Sequence, residues 1–407
     1  MATPKLRFKD FGEDWTAKKL SQVANLTSSK RVHLSDYVSE GIPFFRGKEI
    51  TELKSGIFPK DILYISKKQY EDFKEKFGAP QNNEILMTAV GTLANTYLIN
   101  TDFEFYFKDG NLIWFKDINA DPNFLMILLD ARKNDVLASA IGSTQKALTI
   151  ANLNKLIFNF PSNEEQTKIA SFLSAVDEKI NQLTQKHELL SQYKQGMMQK
   201  LFSQQLRFKA DDGSEFGEWN KVLLGDCVDI LTNGLSLDQN MNGNGFKVTR
   251  IETISNFNID LSRVGYVDTQ SDISSYRLVI GDILFSNINS IAHIGKVVYI
   301  DKDYDIYHGM NLLRIQFKKN LDKKFMFYEL SQKTFKQHFE SIANKAVNQA
   351  SINQTALKKT ELCAPCLEEQ IKIANFLSAI DQKIEVVAQQ IEQAKTWKKG
   401  LLQQMFI

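Results

Sequence analysis

From residue 161 onward, apolar residues recur in alternating steps of four and three. They are Ile169, Leu173, Val176, Ile180 and Leu183, then Leu190, Met197 and Leu201, with His187 and Lys194 filling two further seam positions. Residues 365–406 repeat the pattern through Ile373, Leu377, Ile380, Ile384, Val387, Ile391, Ala394, Lys398, Leu401 and Met405. A sustained heptad of this kind predicts two long helices that pack on each other as a coiled coil. Pro161 and Pro365 stand just before them, and Glu164, Glu165, Glu368 and Glu369 fall in the first turns, where the helix dipole favours negative charge. Each helix of ~38 residues would span ~57 Å at the usual rise. The whole domain between them permits either orientation. An antiparallel pair would relate the two halves by a pseudo-two-fold axis.

The rest of the chain lacks this period. Residues 30–140 and 235–340 hold short runs rich in aromatic and β-branched residues, among them EILMTAV, FEFYF, NLIWF, LVIGDILFS, GKVVYI and NLLRIQF, separated by Gly, Asn, Asp and Ser. These predict strands of a few residues each. A helical stretch closes each region, at 123–141 and 322–343. The fold class expected is α+β: two mostly-β domains with terminal helices, joined by the two long helices.

The helical segments reveal a duplication. Residues 161–202 and 365–406 align without gaps and share 20 of 42 positions, 204 residues apart. Leu6-Arg7-Phe8-Lys9 is repeated at 206–209, each followed by a tryptophan, Trp15 or Trp219. PFFRGKEI (43–50) lies opposite KVTRIETI (247–254), and STQKALTIANLNKL (143–156) opposite NQASINQTALKKT (348–360). The expected organisation is a first domain over 1–160, a spacer helix over 161–202, a second domain over 203–364 and a spacer helix over 365–407. Two copies share a frame and differ in the middle, which suits one scaffold carrying two different readers.

Charge adds little. Residues 1–160 hold 21 basic and 19 acidic side chains, and residues 203–364 hold 19 of each, so any nucleic-acid surface must be local. The N-terminal segment lacks the apolar core of a signal peptide and no apolar run approaches the ~20 residues of a membrane span, so a cytoplasmic protein is expected. Enzyme motifs are missing. No two prolines are adjacent, which excludes the Asn-Pro-Pro-aromatic stretch of adenine methyltransferases. Gly47-Lys48 and Gly295-Lys296 are followed by Glu49 and Val297 rather than Ser or Thr, so neither is a P-loop. HExxH and GxSxG do not occur. Cys363 and Cys366 have CxxC spacing but lack a second ligand pair for zinc.

The opening PKLRF…W, the twice-occurring PxxEEQxKIAxFLSAxDxKI and the helix ends GMMQKLF and GLLQQMF resemble the specificity subunit of type I restriction–modification systems. The resemblance runs over the whole chain in the order variable domain, helix, variable domain, helix. It implies two target recognition domains, each reading one half of a bipartite, asymmetric site in double-stranded DNA. It also implies antiparallel helices that set the unspecified gap. Two methyltransferase subunits and the restriction/translocase subunits are the implied partners. S-adenosylmethionine, ATP and magnesium would belong to those partners, with no cofactor or metal in this chain and no catalysis. The competing expectation is an assembly scaffold that does not read DNA; an enzyme of unknown type is disfavoured by the missing motifs.

Base edges are read mainly by Arg, Lys, Asn and Gln from loops and helices. Equivalent places in the two copies offer Arg46 and Lys48 against Thr249 and Arg250. Next come Thr88 and Gly91 against Ser286, Asn287 and Asn289. The third set is Ser143, Thr144, Gln145 and Lys146 against Asn348, Gln349 and Ser351. Lys30, Arg31 and His308 are weaker candidates, and Tyr97, Phe105, Tyr106 and Trp114 are expected in the core. Phe172 and Phe376 repeat in place outside the helix seam and are expected either to dock the methyltransferase subunits or to widen the core stripe.

Overall fold

The computed structural model describes residues 4–254, 258–346 and 349–406. Two compact units divide the chain. One comprises the chain up to Thr184 together with the segment from Gln389 onward; the other runs from Gln185 to Ala388. The long helices, Asn163–Phe202 and Leu367–Met405, therefore each contribute one part to each unit.

The helix segments run antiparallel in both units. In the first, Phe406 stacks on Phe124 beside Phe160, just ahead of the first long helix, while Lys398 reaches Asp177 further along it at 2.5 Å. In the second, Phe202 packs on Phe325 and Trp219 while Lys194 pairs with Asp381 at 2.6 Å. Lys194 and Lys398, which interrupt the apolar seam in sequence, thus meet an aspartate of the facing helix 204 residues away from its counterpart. Seam lysines cost stability but discriminate against other registers.

The repeated EEQ triplet has a structural task beyond the helix dipole. Glu165 and Glu369 are fully buried, and each accepts a two-pronged hydrogen bond from the arginine of the LRFK motif. Arg7 Nε and Nη2 lie 2.7 Å from Glu165, and Arg207 Nε and Nη2 lie 3.1 and 2.7 Å from Glu369. These hydrogen bonds raise both arginine pKa values. Gln166 and Gln370, also buried, each donate to the preceding proline carbonyl at 2.9 Å and accept from Asp121 N–H at 3.0 Å or Asp322 N–H at 2.9 Å. Those aspartates cap the helices Pro122–Ala131 and Lys323–Leu330. One triplet therefore fastens the N-terminal arm, the domain helix and the long helix in each unit.

The middles, which share little sequence, share the strand order of one four-stranded sheet. In the first unit a four-stranded sheet has the order Asn25–Thr27, Leu112–Lys116, Ile85–Thr88, Thr96–Leu98. In the second, the order Val228–Asn233, Leu313–Phe317, Ile283–Phe285, Val297–Tyr299 matches it strand for strand. Each domain is closed by its first and last strands, Thr16–Lys19 with Ile157–Phe160 and Asn220–Leu223 with Glu361–Ala364, whose outgoing strand leads into a long helix. Tyr97, Phe105, Tyr106 and Trp114 are all in the core.

The structure departs from the sequence expectation in two respects. The first middle contains helices Gly47–Lys54 and Lys67–Phe77 where the sequence predicts only short strands and loops. The second of these buries Tyr70, half-buries Phe73, and is capped by Ser66 Oγ, so a narrow apolar stripe suffices. The closing helical stretches are each broken in two, at Arg132 and at Ser331–Gln332. Ser331 Oγ bonds back to Phe327 O at 2.6 Å, a contact that competes with helix continuation.

Candidate nucleic-acid interface

In the first unit the loop ends of the sheet converge. Gly110 N donates to Ser28 Oγ at 3.3 Å, Lys108 N to Phe45 O at 2.9 Å, and Ala89 N to Asn111 O at 2.8 Å. Leu148 N then donates to Ala89 O at 2.9 Å. These bonds tie together the segments around 28–31, 45–48, 88–92, 108–111 and 141–148. Residues 141–147 form a small hairpin closed by reciprocal Ile141–Ala147 backbone bonds, and its tip, Ser143, Thr144, Gln145 and Lys146, is entirely exposed. Gly142 makes the turn possible: its φ is +105°, and a Cβ there would lie 2.3 Å from Gln145 O. Lys48 is exposed in the first turn of the helix Gly47–Lys54, and Gly91, Lys30 and Arg31 are exposed on neighbouring loops. Lys30 rests over the Phe77 ring and Arg31 pairs with Asp109 at 3.0 Å.

The second unit repeats the arrangement. Ile352 N donates to Asn287 O at 2.8 Å, the counterpart of the Leu148–Ala89 bond. Asn344–Lys345 pairs with Ala350–Ser351, which in turn pairs with Ile288–Asn289. The structure thus joins two candidate segments, FSNINS and NQAS, in one small sheet. Gln349 is exposed and Asn289 and Ser351 are half-buried; Asn348 lies outside the described residues.

Four of the expected base readers have buried side chains in this structure. Thr88 Oγ1 donates to Thr92 O and accepts from Asn95 N, folding the 88–95 turn. Thr249 Oγ1 accepts from Gly309 N at 2.8 Å, and Ser286 Oγ accepts from Asn289 Nδ2 at 3.1 Å. Thr88, Thr249 and Ser286 are at most 1% exposed, and Asn287 is also buried. Such side chains have no surface to offer a base edge; they shape the loops. His308 belongs with them. It is buried, bonds Leu312 O through Nε2, and burial pushes its pKa down to about 4, so it is a neutral core residue.

Arg46 is also restrained. Its guanidinium holds the carboxylate of Glu49, which is 1% exposed, while its backbone N–H is capped by the same carboxylate at 2.8 Å. Phe172 and Phe376 are half-buried under Phe8 and Phe208, with ring centroids 5.6 Å apart in both pairs. Both rings thus pack partly into the core, as expected if they widen its stripe. Residues the sequence reading missed include Asn233 and Gln354, which join the sheet end to the hairpin segment at 3.0 Å, and exposed Met310 and Asn311. Asn233 at a strand end, Gln354 at a helix start and Met310-Asn311 in a turn carry signals too common to stand out.

Among the described residues no helix is long and apolar enough to cross a membrane, and no group of three or more His, Cys, Asp or Glu could hold a metal ion. A family model described as the type I restriction modification DNA specificity domain matches the chain twice, over residues 12–191 and 217–396. A chain of Methanocaldococcus jannaschii, provisionally named as the type I restriction enzyme MjaX specificity subunit, is 44% identical over 210 residues; that match covers 50% of this chain and 49% of the relative. The type I restriction enzyme MjaVIII specificity subunit of the same organism is 27% identical over 90% of both chains. The crystal structure of the S subunit of a type I restriction–modification system from M. genitalium has the same fold, with a TM-score of 0.61 at 17% identity, covering 100% of this chain and 99% of that one. With one match on each copy of the repeat, the chain belongs to the type I restriction–modification DNA specificity family and carries two of its specificity domains.

Proposed function

We propose that each domain reads one half of a bipartite, asymmetric DNA site, and that the paired helices set the gap between the halves. The observation that carries this reading is that both units place loops of different sequence around a four-stranded sheet of the same strand order. One fold with two loop chemistries suits two unlike half-sites. The contacts proposed for the first domain are Lys48, Gly91, Ser143, Thr144, Gln145 and Lys146, with Arg46 holding its loop in place. For the second domain they are Arg250, Asn289, Gln349 and Ser351, with Asn348 as a candidate from sequence alone.

The chain itself is non-catalytic in this proposal and works in the cytoplasm with two adenine methyltransferase subunits and, where present, restriction subunits. S-adenosylmethionine, ATP and magnesium act on those partners. The near-neutral net charge favours local phosphate contacts over a broad basic face. Binding of the assembled complex to a duplex carrying the methylated motif should fall steeply with salt and exceed binding to a scrambled duplex by at least ~10³-fold. Equal binding to both duplexes would favour the assembly scaffold instead. Removal of one whole heptad from both long helices should shorten the gap in the methylated motif; an unchanged gap would refute the spacer role.

A further inference from the structure

Arg46 and Arg250 occupy matching positions, each just ahead of a short helix, Gly47–Lys54 or the 3₁₀ turn Ile251–Ile254. In both, the residue three places on caps the arginine backbone N–H at 2.8 Å: Glu49 Oε2 for Arg46 and Thr253 Oγ1 for Arg250. The change from carboxylate to hydroxyl decides what each guanidinium is free to do. Glu49 is buried and ionised, so it needs the Arg46 guanidinium as its counter-charge. Thr253 is also buried but neutral, and its hydroxyl is satisfied by Arg250 N and Arg263 O. Among the described residues the Arg250 guanidinium has no buried partner. Its contacts are Glu252 Oε2 at 3.3 Å and Met241 Sδ at 2.9 Å, and Glu252 and Met241 are themselves exposed.

Arg250 opens onto a cavity of about 370 Å³ that is also lined by Leu237, Asp238, Gln239, Glu252, Met310 and Asn311. The floor of this cavity is fixed. Leu235 N donates to His308 O at 2.7 Å, Met310 N to Leu235 O at 3.1 Å, and Gly309 N to Thr249 Oγ1 at 2.8 Å. Gly234 and Gly309 permit this close approach, since a Cβ at either would lie 2.2 Å from His308 O or 2.0 Å from Thr249 O. An arginine paired with one exposed carboxylate on a rigid frame, with Gln and Asn beside it, has the donors and acceptors of a base-edge reader, and the Asp238 and Glu252 carboxylates disfavour a phosphate at the same place. A guanidinium presents two donors in a fixed planar fork to guanine O6 and N7, whereas a lysine ammonium is a flexible point charge without that fixed geometry.

Resting on the proposal that the second domain reads one half-site, we propose that Arg250 reads a guanine in that half-site from the major groove, while Arg46 serves only to position its loop. The two domains would then differ in device as well as in sequence. The second reads through a cradled arginine and the first through the tip of its 141–147 hairpin.

The test is a map of methylated adenine in cells expressing the chain with its methyltransferase subunit, for wild type, R250A and R250K. The result expected is that both variants relax one G·C position in one half of the motif by roughly ten- to a hundred-fold while the other half is unchanged. Full specificity retained by R250K would show that the planar guanidinium fork is not what discriminates and overturn the assignment, as would an unchanged motif in R250A. If both variants lose methylation at all sites with an unaltered melting temperature, Arg250 supplies affinity without discrimination, and the assignment is also overturned. A wild type without any split motif would instead refute the DNA-reading function from which the inference starts.

Discussion

Glu329 is the carboxyl in the second unit whose ionisation the fold resists most plainly. It is 2% exposed; Oε1 accepts from Cys363 N at 2.6 Å, and Oε2 has no partner among the described residues. Burial pushes its pKa up to about 8, so the folded state holds the proton that the unfolded chain releases near pH 4.5. The folded state therefore binds more protons between these values, and stability must fall as pH rises through that window. One pKa unit corresponds to about 1.4 kcal/mol, so the whole displacement is on the order of 4–5 kcal/mol. The first unit avoids this cost, because Leu128 occupies the corresponding helix position, seven residues after the capping aspartate in both. Glu329→Gln keeps an acceptor for Cys363 N and removes the titration, although its amide N–H₂ group then lacks a partner. Urea unfolding of the wild type and this variant, followed by tryptophan fluorescence from pH 5 to 9, measures the effect. The variant should gain on the wild type by about 1.4 kcal/mol per pH unit up to pH 8 and level off above it. Parallel stability curves across the range would refute the assignment of a protonated buried carboxyl.

Four further outcomes follow from the same geometry. Arg7→Ala or Arg207→Ala strands a buried carboxylate and should destabilise its own unit by about 3–5 kcal/mol in denaturant titration, with little effect on the other. Arg46→Ala should act similarly through Glu49, lowering the melting temperature rather than altering the methylated motif. Thr249→Val leaves the buried Gly309 N–H unbonded and should cost about 1–3 kcal/mol, again without shifting base preference. Lys146→Ala, at the exposed hairpin tip, should leave stability unchanged and reduce the slope of log affinity against log salt by about 0.9 if its ammonium lies on a phosphate; an unchanged slope removes it from the interface.

The long helices and the duplication are legible in the sequence because heptad spacing and a constant offset of 204 are local, countable signals. The task of Glu165 was not legible, because its partner Arg7 is 158 residues away and only the fold brings them together. The same holds for the candidate readers. Their loops were found by matching the two copies, yet Thr88 and Thr249 match for structural reasons, each bonding a backbone N–H that a loop must satisfy. Position in the repeat marks what the scaffold needs as readily as what DNA needs. The helices Gly47–Lys54 and Lys67–Phe77 escaped because their apolar stripes are too narrow to register against the strand-rich background. The contrast between Arg46 and Arg250 depends on whether the residue three places on is Glu or Thr, which acquires meaning only once that residue is known to be buried.

The central claim is that this chain, and not its partners, decides where DNA is methylated. Exchanging the segment 30–140 for the corresponding segment of another member of the family, and mapping methylated adenines in cells carrying the same methyltransferase subunit, tests it directly. The account predicts a new split motif in which one half changes and the other half and the gap persist. A motif unchanged by the exchange, in cells where the complex assembles and methylates, would contradict it.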